Sequence, residues 1–140
     1  MRFWDSSAIL PLLIQEAFTD PVQNVLRADS GVVYWWGTPV ECYSALWRRQ
    51  RDGSISHTTL LTSAQWLQRL LASAVEIQPK QALRAAAQHL VASHALKAAD
   101  ALQLAAALSW VELSGERLTV VTLDQRLRDA AQREGLATLP

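Results

Sequence analysis

Cysteine is nearly missing from this chain. One thiol, Cys42, in 140 residues excludes an internal disulfide and any metal centre built on cysteine pairs. Such usage suits a reducing, cytoplasmic compartment. Lysine is scarce too, found only as Lys80 and Lys97, so arginine carries most of the positive charge. Net charge is absent, because Lys+Arg 13 balance Asp+Glu 13. No global field draws the chain to nucleic acid, and any such contact needs a local basic patch. The five glycines form no phosphate-cradling loop, which argues against P-loop or Rossmann nucleotide binding. There is no long apolar run. The opening MRFWDSSAILPLLIQE is interrupted by Asp5, Pro11 and Glu16, too soon for a membrane span, and reads poorly as a signal peptide. Repeats, low-complexity tracts and linkers are lacking, so one domain over residues 1–140 is expected.

Apolar residues are plentiful. They make up 50% of the chain against 19% charged, enough to fill a core and too apolar for disorder. RFWD (2–5) reads as a strand, with a helix from about Ser7 and a second over 19–29. VVYWW (32–36) is β-branched and aromatic throughout, a strand by propensity. Helices are expected over 38–53, 55–73, 79–96, 98–113 and 124–134, and strands over 75–78, 117–122 and 136–139. Strands alternate with helices, and those at 32–36 and 118–122 lack polar alternation. That pattern predicts an α/β fold: a three-layer α/β/α sandwich around a central, mainly parallel sheet. In such a sheet, ligands bind at the edge where strands end and helices begin.

Four carboxylates stand near helix starts. Asp5 ends the first strand, Glu41 lies in the first turn after Thr38-Pro39, Asp100 lies early in an alanine-rich helix, and Asp124 follows the strand RLTVVT. Each has an ordinary structural explanation. Asp5 and Asp124 can cap helices, Thr38 and Glu41 fit a capping box, and Asp100 gains from the helix dipole. Asp100 is harder to explain this way, since alanine and leucine flank it and a buried carboxylate needs a partner. Lys97 is one partner within reach in sequence. Three of the acids follow strands, so a parallel sheet would gather them at one edge. Crowded carboxylates repel, and a hard divalent cation such as Mg²⁺ or Mn²⁺ neutralises such a cluster. His57, His89 and His94 show no metal-ligand spacing and read as surface or polar helix residues.

In that order, WDSSAIL, TPVECYSALWR, LKAADALQLAAAL and VVTLDQRLRDAAQREG make the chain similar to PIN-domain ribonucleases of the VapC type, toxins of toxin–antitoxin pairs. The resemblance runs along nearly the whole chain. It implies metal-dependent hydrolysis of an RNA phosphodiester, with Asp5, Glu41, Asp100 and Asp124 as the metal-binding acids. Ser6 and Thr122 would support them from behind. It also implies a homodimer and a cognate antitoxin lying over the acids. Arg48, Arg49 and Arg51 end the Glu41 helix, where they suit either RNA phosphates or the helix dipole.

Other readings remain. A PIN-fold module acting only through protein partners would need no metal. A haloacid-dehalogenase-like phosphatase resembles D-x-D after its first strand, but Ser7 stands two residues after Asp5. A phospho-receiver domain lacks a place for the Asp100 helix. Six tryptophans are many for this length, and most should be core. Trp35 and Trp36 should both be buried if helices cover both sheet faces, while Trp47 and Trp66 are candidates for an interface.

Overall fold

The computed structural model describes residues 1–115 and 117–140. The elements run β1 (Arg2–Trp4), α1 (Ser6–Leu13), α2 (Thr19–Ala28), β2 (Val32–Trp35), α3 (Thr38–Arg51), α4 (His57–Ala72), β3 (Val75–Ile77), α5 (Gln81–Ser93), α6 (Ala98–Ser114), β4 (Thr119–Val121), α7 (Gln125–Arg133) and β5 (Ala137–Leu139). The strands form one sheet in the order β3-β2-β1-β4-β5. Every pairing is parallel. The expected α/β fold is the one observed.

Alternation along each strand divides the core in two. Phe3, Val33, Trp35 and Val120 face one side, where they pack with α5, α6 and α7. Trp4, Val32 and Val121 face the other, with α1, α2, α3 and α4 residues such as Ile9, Val22, Cys42 and Leu67. Both faces are therefore covered, and β2 is buried along its whole length. This explains why its sequence shows no polar alternation. The chain steps outward from β1 through β2 to β3, then crosses the opposite face to β4 on the other side of β1. That reversal opens a crevice beyond the carboxyl ends of β1 and β4.

Trp36 departs from expectation. β2 stops at Trp35, and Trp36 lies just past it with 51% of its surface exposed, whereas Trp35 keeps 6%. Its backbone N–H still donates to the Ile77 carbonyl, but no helix covers the ring so far along the edge. Trp47 and Trp66 are exposed, as an interface role requires. Of the histidines read as surface or polar helix residues, His94 is the C-cap of α5, its ring largely buried and its Nε2 2.7 Å from Glu134.

Candidate acidic site at the sheet edge

The parallel register sets the site. Phe3 pairs with Val120 and Trp4 with Val121, so Asp5 falls level with Thr122. Asp5 is 3% exposed and is the N-cap of α1. Its Oδ2 accepts from the Ser7 N–H at 3.1 Å, from Thr122 Oγ1 at 3.1 Å and from the Ser7 hydroxyl. Ser7 Oγ in turn accepts the Leu123 N–H at 2.9 Å, and Thr122 Oγ1 accepts the Asp124 N–H at 3.1 Å. The ends of β1 and β4 are thus laced together around one carboxylate. Capping and site geometry are the same set of hydrogen bonds here.

Glu41 approaches from α3. Ser6 Oγ donates to its Oε2 at 2.8 Å and lies 3.4 Å from Asp5 Oδ1. One serine therefore spans the two acids. From the other side, Gln103 Nε2 donates to both Glu41 oxygens at 3.1 Å and to Thr38 Oγ1 at 3.1 Å. The capping box expected of Thr38 and Glu41 does not form. Gly37 is the N-cap, and Thr38 is fully buried and turned to Gln103. The reason is tertiary: a buried glutamine needs partners, and these two side chains supply them. Gln103 went unassigned in the sequence, although it lies three residues after Asp100 and so on the same helical face. A lone polar side chain among alanines and leucines was the available signal. Ser7 was likewise passed over, and it holds Asp5 more tightly than Ser6 does.

Asp100 and Asp124 form the looser side. Asp100 is half-buried in the first turn of α6, with Ala98 and Ala99 exposed beside it. Ala98 and Ala99 thus leave it open on one side, while Ala101 after it is fully buried. Asp124 is the N-cap of α7 and accepts the Leu127 N–H at 2.9 Å, as its position suggested.

Three of these acids hold their protons more tightly than usual. Burial raises the Asp5 carboxyl, the Ser7 and Thr122 donors oppose the rise, and the charge of Asp100 adds to it. Burial also raises Glu41, helped by the charges of Asp5 and Asp100 and opposed by Ser6 and Gln103. Asp100 is raised by burial and then by Asp124, while Lys97 and Arg126 pull it down.

Do these groups fit a divalent cation? The donors are all oxygen, as Mg²⁺ and Mn²⁺ prefer, and the raised carboxyls mark negative charge that a cation would relieve. Among the described residues, however, no three His, Cys, Asp or Glu side chains are gathered as a ready ligand shell. The donor chemistry fits; the carboxylates would have to close on the ion.

A shallow cavity of about 460 Å³ adjoins the acids, lined by Ser6, Ser7, Glu41 and Arg48 among others. The three arginines of α3 separate here. Arg48 is two helical turns from Glu41 and shares its face. Arg49 pairs with Glu16, and Arg51 is exposed at the helix end.

No protein-family model and no curated protein matches the chain. Solved structures do match it. The sarcin–ricin-loop-cleaving toxin VapC20 of Mycobacterium tuberculosis is 18% identical, with 93% of this chain and 95% of that one aligned at a TM-score of 0.68. A toxin–antitoxin complex from Klebsiella pneumoniae is 16% identical over 90% of this chain and 88% of that one, with a TM-score of 0.62. FitAcB from Neisseria gonorrhoeae is 15% identical over 100% of this chain and 97% of that one, with a TM-score of 0.63. At such identities the likeness establishes a shared fold. The chain has the PIN-like α/β/α fold of these proteins.

Proposed function

We propose that the chain is a metal-dependent endoribonuclease and the toxin of a toxin–antitoxin pair. The observation that carries this is the convergence of Asp5 and Glu41 on Ser6, with Asp100 close enough to raise both carboxyls. Structural likeness to a toxin that cleaves the sarcin–ricin loop and to a toxin–antitoxin complex supports it. Asp5, Glu41, Asp100 and Asp124 would hold Mg²⁺ or Mn²⁺. A bound ion of this kind supplies charge stabilisation at the phosphate and a hydroxide nucleophile at neutral pH. The chain's own residues do the positioning. Ser7 and Thr122 fix the Asp5 carboxylate, Gln103 fixes Glu41, and Arg48 offers the phosphate a cation in the adjoining cavity. The partners under this reading are an RNA substrate, a cognate antitoxin and a second copy of the chain. No described helix is long and apolar enough to cross a membrane.

The test is RNA cleavage by the purified chain with Mg²⁺, Mn²⁺ or EDTA, beside Asp5→Asn. Metal-dependent cleavage that the substitution abolishes is the expected result. Cleavage that persists in EDTA would overturn the metal assignment. A second reading, a PIN-fold module acting only through protein partners, is favoured by the separation of the acids, no three of which form a ready shell among the described residues. A folded chain that cleaves nothing and gains no thermal stability from Mg²⁺ would move the assignment there.

A further inference from the structure

A second cavity, of about 310 Å³, opens on the same sheet edge, on the far side of β2 from Asp5. Its walls are apolar, from Trp35, Leu83 and Leu102, and its charged lining is Lys80 and Arg84. Among the described residues no carboxylate lines it. Neither cation has an ion pair among the described residues. Two uncompensated cations over an apolar floor call for an anion that also carries an apolar face.

Trp36 lies beside Trp35, which lines the cavity. Its ring lies edge-on to that of Trp35, with centroids 6.2 Å apart and an interplanar angle of 67°. Its backbone N–H is bonded to Ile77, three residues before Lys80. Continuing the β1–β2 register places Asp5 level with Trp35 and Trp36 one residue beyond. The Trp36 backbone therefore lies between the strand that carries Asp5 and the segment that leads from Ile77 to Lys80, and its exposed ring lies edge-on to Trp35, which lines the cavity. Gly37 allows this arrangement, because a Cβ there would lie 2.5 Å from Trp35 Nε1. The first turn of α5 adds a minor attraction for negative charge, since its N-cap Lys80 makes no side-chain bond to it.

We infer that Trp36, Lys80 and Arg84 form a subsite for single-stranded RNA beside the acids. A base stacks on the Trp36 indole, and a neighbouring phosphate sits between Lys80 and Arg84. Stacking on an exposed aromatic is sequence-tolerant, and the cations track the backbone, so the subsite holds an unpaired strand rather than a duplex. The inference rests on the nuclease reading for its substrate, yet binding can be measured without cleavage.

The experiment measures anisotropy of a labelled single-stranded oligoribonucleotide in EDTA, with the wild type, Trp36→Ala, Trp36→Phe and Lys80→Ala/Arg84→Ala. Cleavage in Mg²⁺ is measured separately. Trp36→Ala is expected to weaken binding about tenfold, and Trp36→Phe is expected to restore most of it. The double variant is expected to reduce the salt slope by about 1.4, the share of two phosphate contacts on a single strand. Binding lost in these variants from a chain that cleaves nothing would uphold the subsite and defeat the nuclease reading. Affinities within twofold of wild type, in variants that melt like wild type, would overturn the subsite even if cleavage is strong. So would no binding by the wild type, or equal binding of a polyglutamate peptide at the same ionic strength.

Discussion

The two sides of the acidic edge are built differently. Asp5 and Glu41 are held by side chains: Ser6, Ser7, Thr122 and Gln103 each donate to one of them. Asp100 and Asp124 are coupled mainly through charge, and Asp124 spends its carboxylate on capping α7. The first side is preorganised by the protein itself. The second is only half-buried and has backbone rather than side-chain donors. A cation placed between the two sides would meet one pair of acids already oriented by side-chain donors, so that pair would need little reorganisation.

The largest expected effect breaks that contrast at the level of chemistry. Under the nuclease reading, Asp5→Asn and Asp100→Asn should each lower Mg²⁺-dependent RNA cleavage by at least about a hundredfold, because each would remove a charge from the proposed cation site. The two should differ in EDTA melts. Asp5→Asn relieves a desolvated carboxylate and should melt no lower than wild type near neutral pH, whereas the half-exposed Asp100 should matter less to melting in either direction. Retained cleavage by either variant would remove that acid from the assignment.

Next in size is Gln103→Leu, which touches only the preorganised side. It leaves Thr38 and Glu41 without their buried donor, a loss of about 1–3 kcal/mol by chemical denaturation. Unchanged stability would show that the glutamine is not what fixes Glu41. Asp124→Ala sharpens the other side. It should lose about 1 kcal/mol as a helix cap, while Asp124→Asn keeps the cap and lowers only cleavage. Equal melting of the two would mean that the cap contributes nothing.

The smallest expected effect is a pH trend. Asp5, Glu41 and Asp100 all bind a proton more tightly in the folded chain than their ordinary values of 3.8, 4.5 and 3.8 imply. A group with a raised folded pKa stabilises the fold while protonated, fully so below its unfolded value, and that contribution is lost as pH rises through the raised one. The melting temperature in EDTA should therefore decline as pH climbs above about 4.5, and Mg²⁺ should restore it at neutral pH. A melting temperature that climbs steadily across this window would show that the ionised acids are not in conflict.

Much of this architecture was legible in the sequence. β2 and β4 announced themselves as β-branched runs without polar alternation, because both of their faces are covered. Gly53, Gly115 and Gly135 marked the ends of α3, α6 and α7, and each takes a positive φ there. What escaped was whatever depends on a neighbour distant in the chain. Local pattern assigned Thr38 and Glu41 to each other, but a buried glutamine 65 positions beyond Thr38 claims both. Trp36 followed four strand residues and differed from them only in lying where the covering helices stop. Arg48 was inseparable from Arg49 and Arg51 until the helix face shared with Glu41 was known. The sequence named the four acids, but not which of them the fold holds in place.

One contact sets when this edge can exist at all. Thr122 reaches Asp5 across 117 positions of chain, and β4 pairs directly with β1. During synthesis the first strand leaves the ribosome long before its partner does. Asp5 is therefore made early and completed late: no nascent chain that ends before Thr122 can assemble this edge. A chain built this way leaves Asp5 without its Thr122 partner while the residues between them are made.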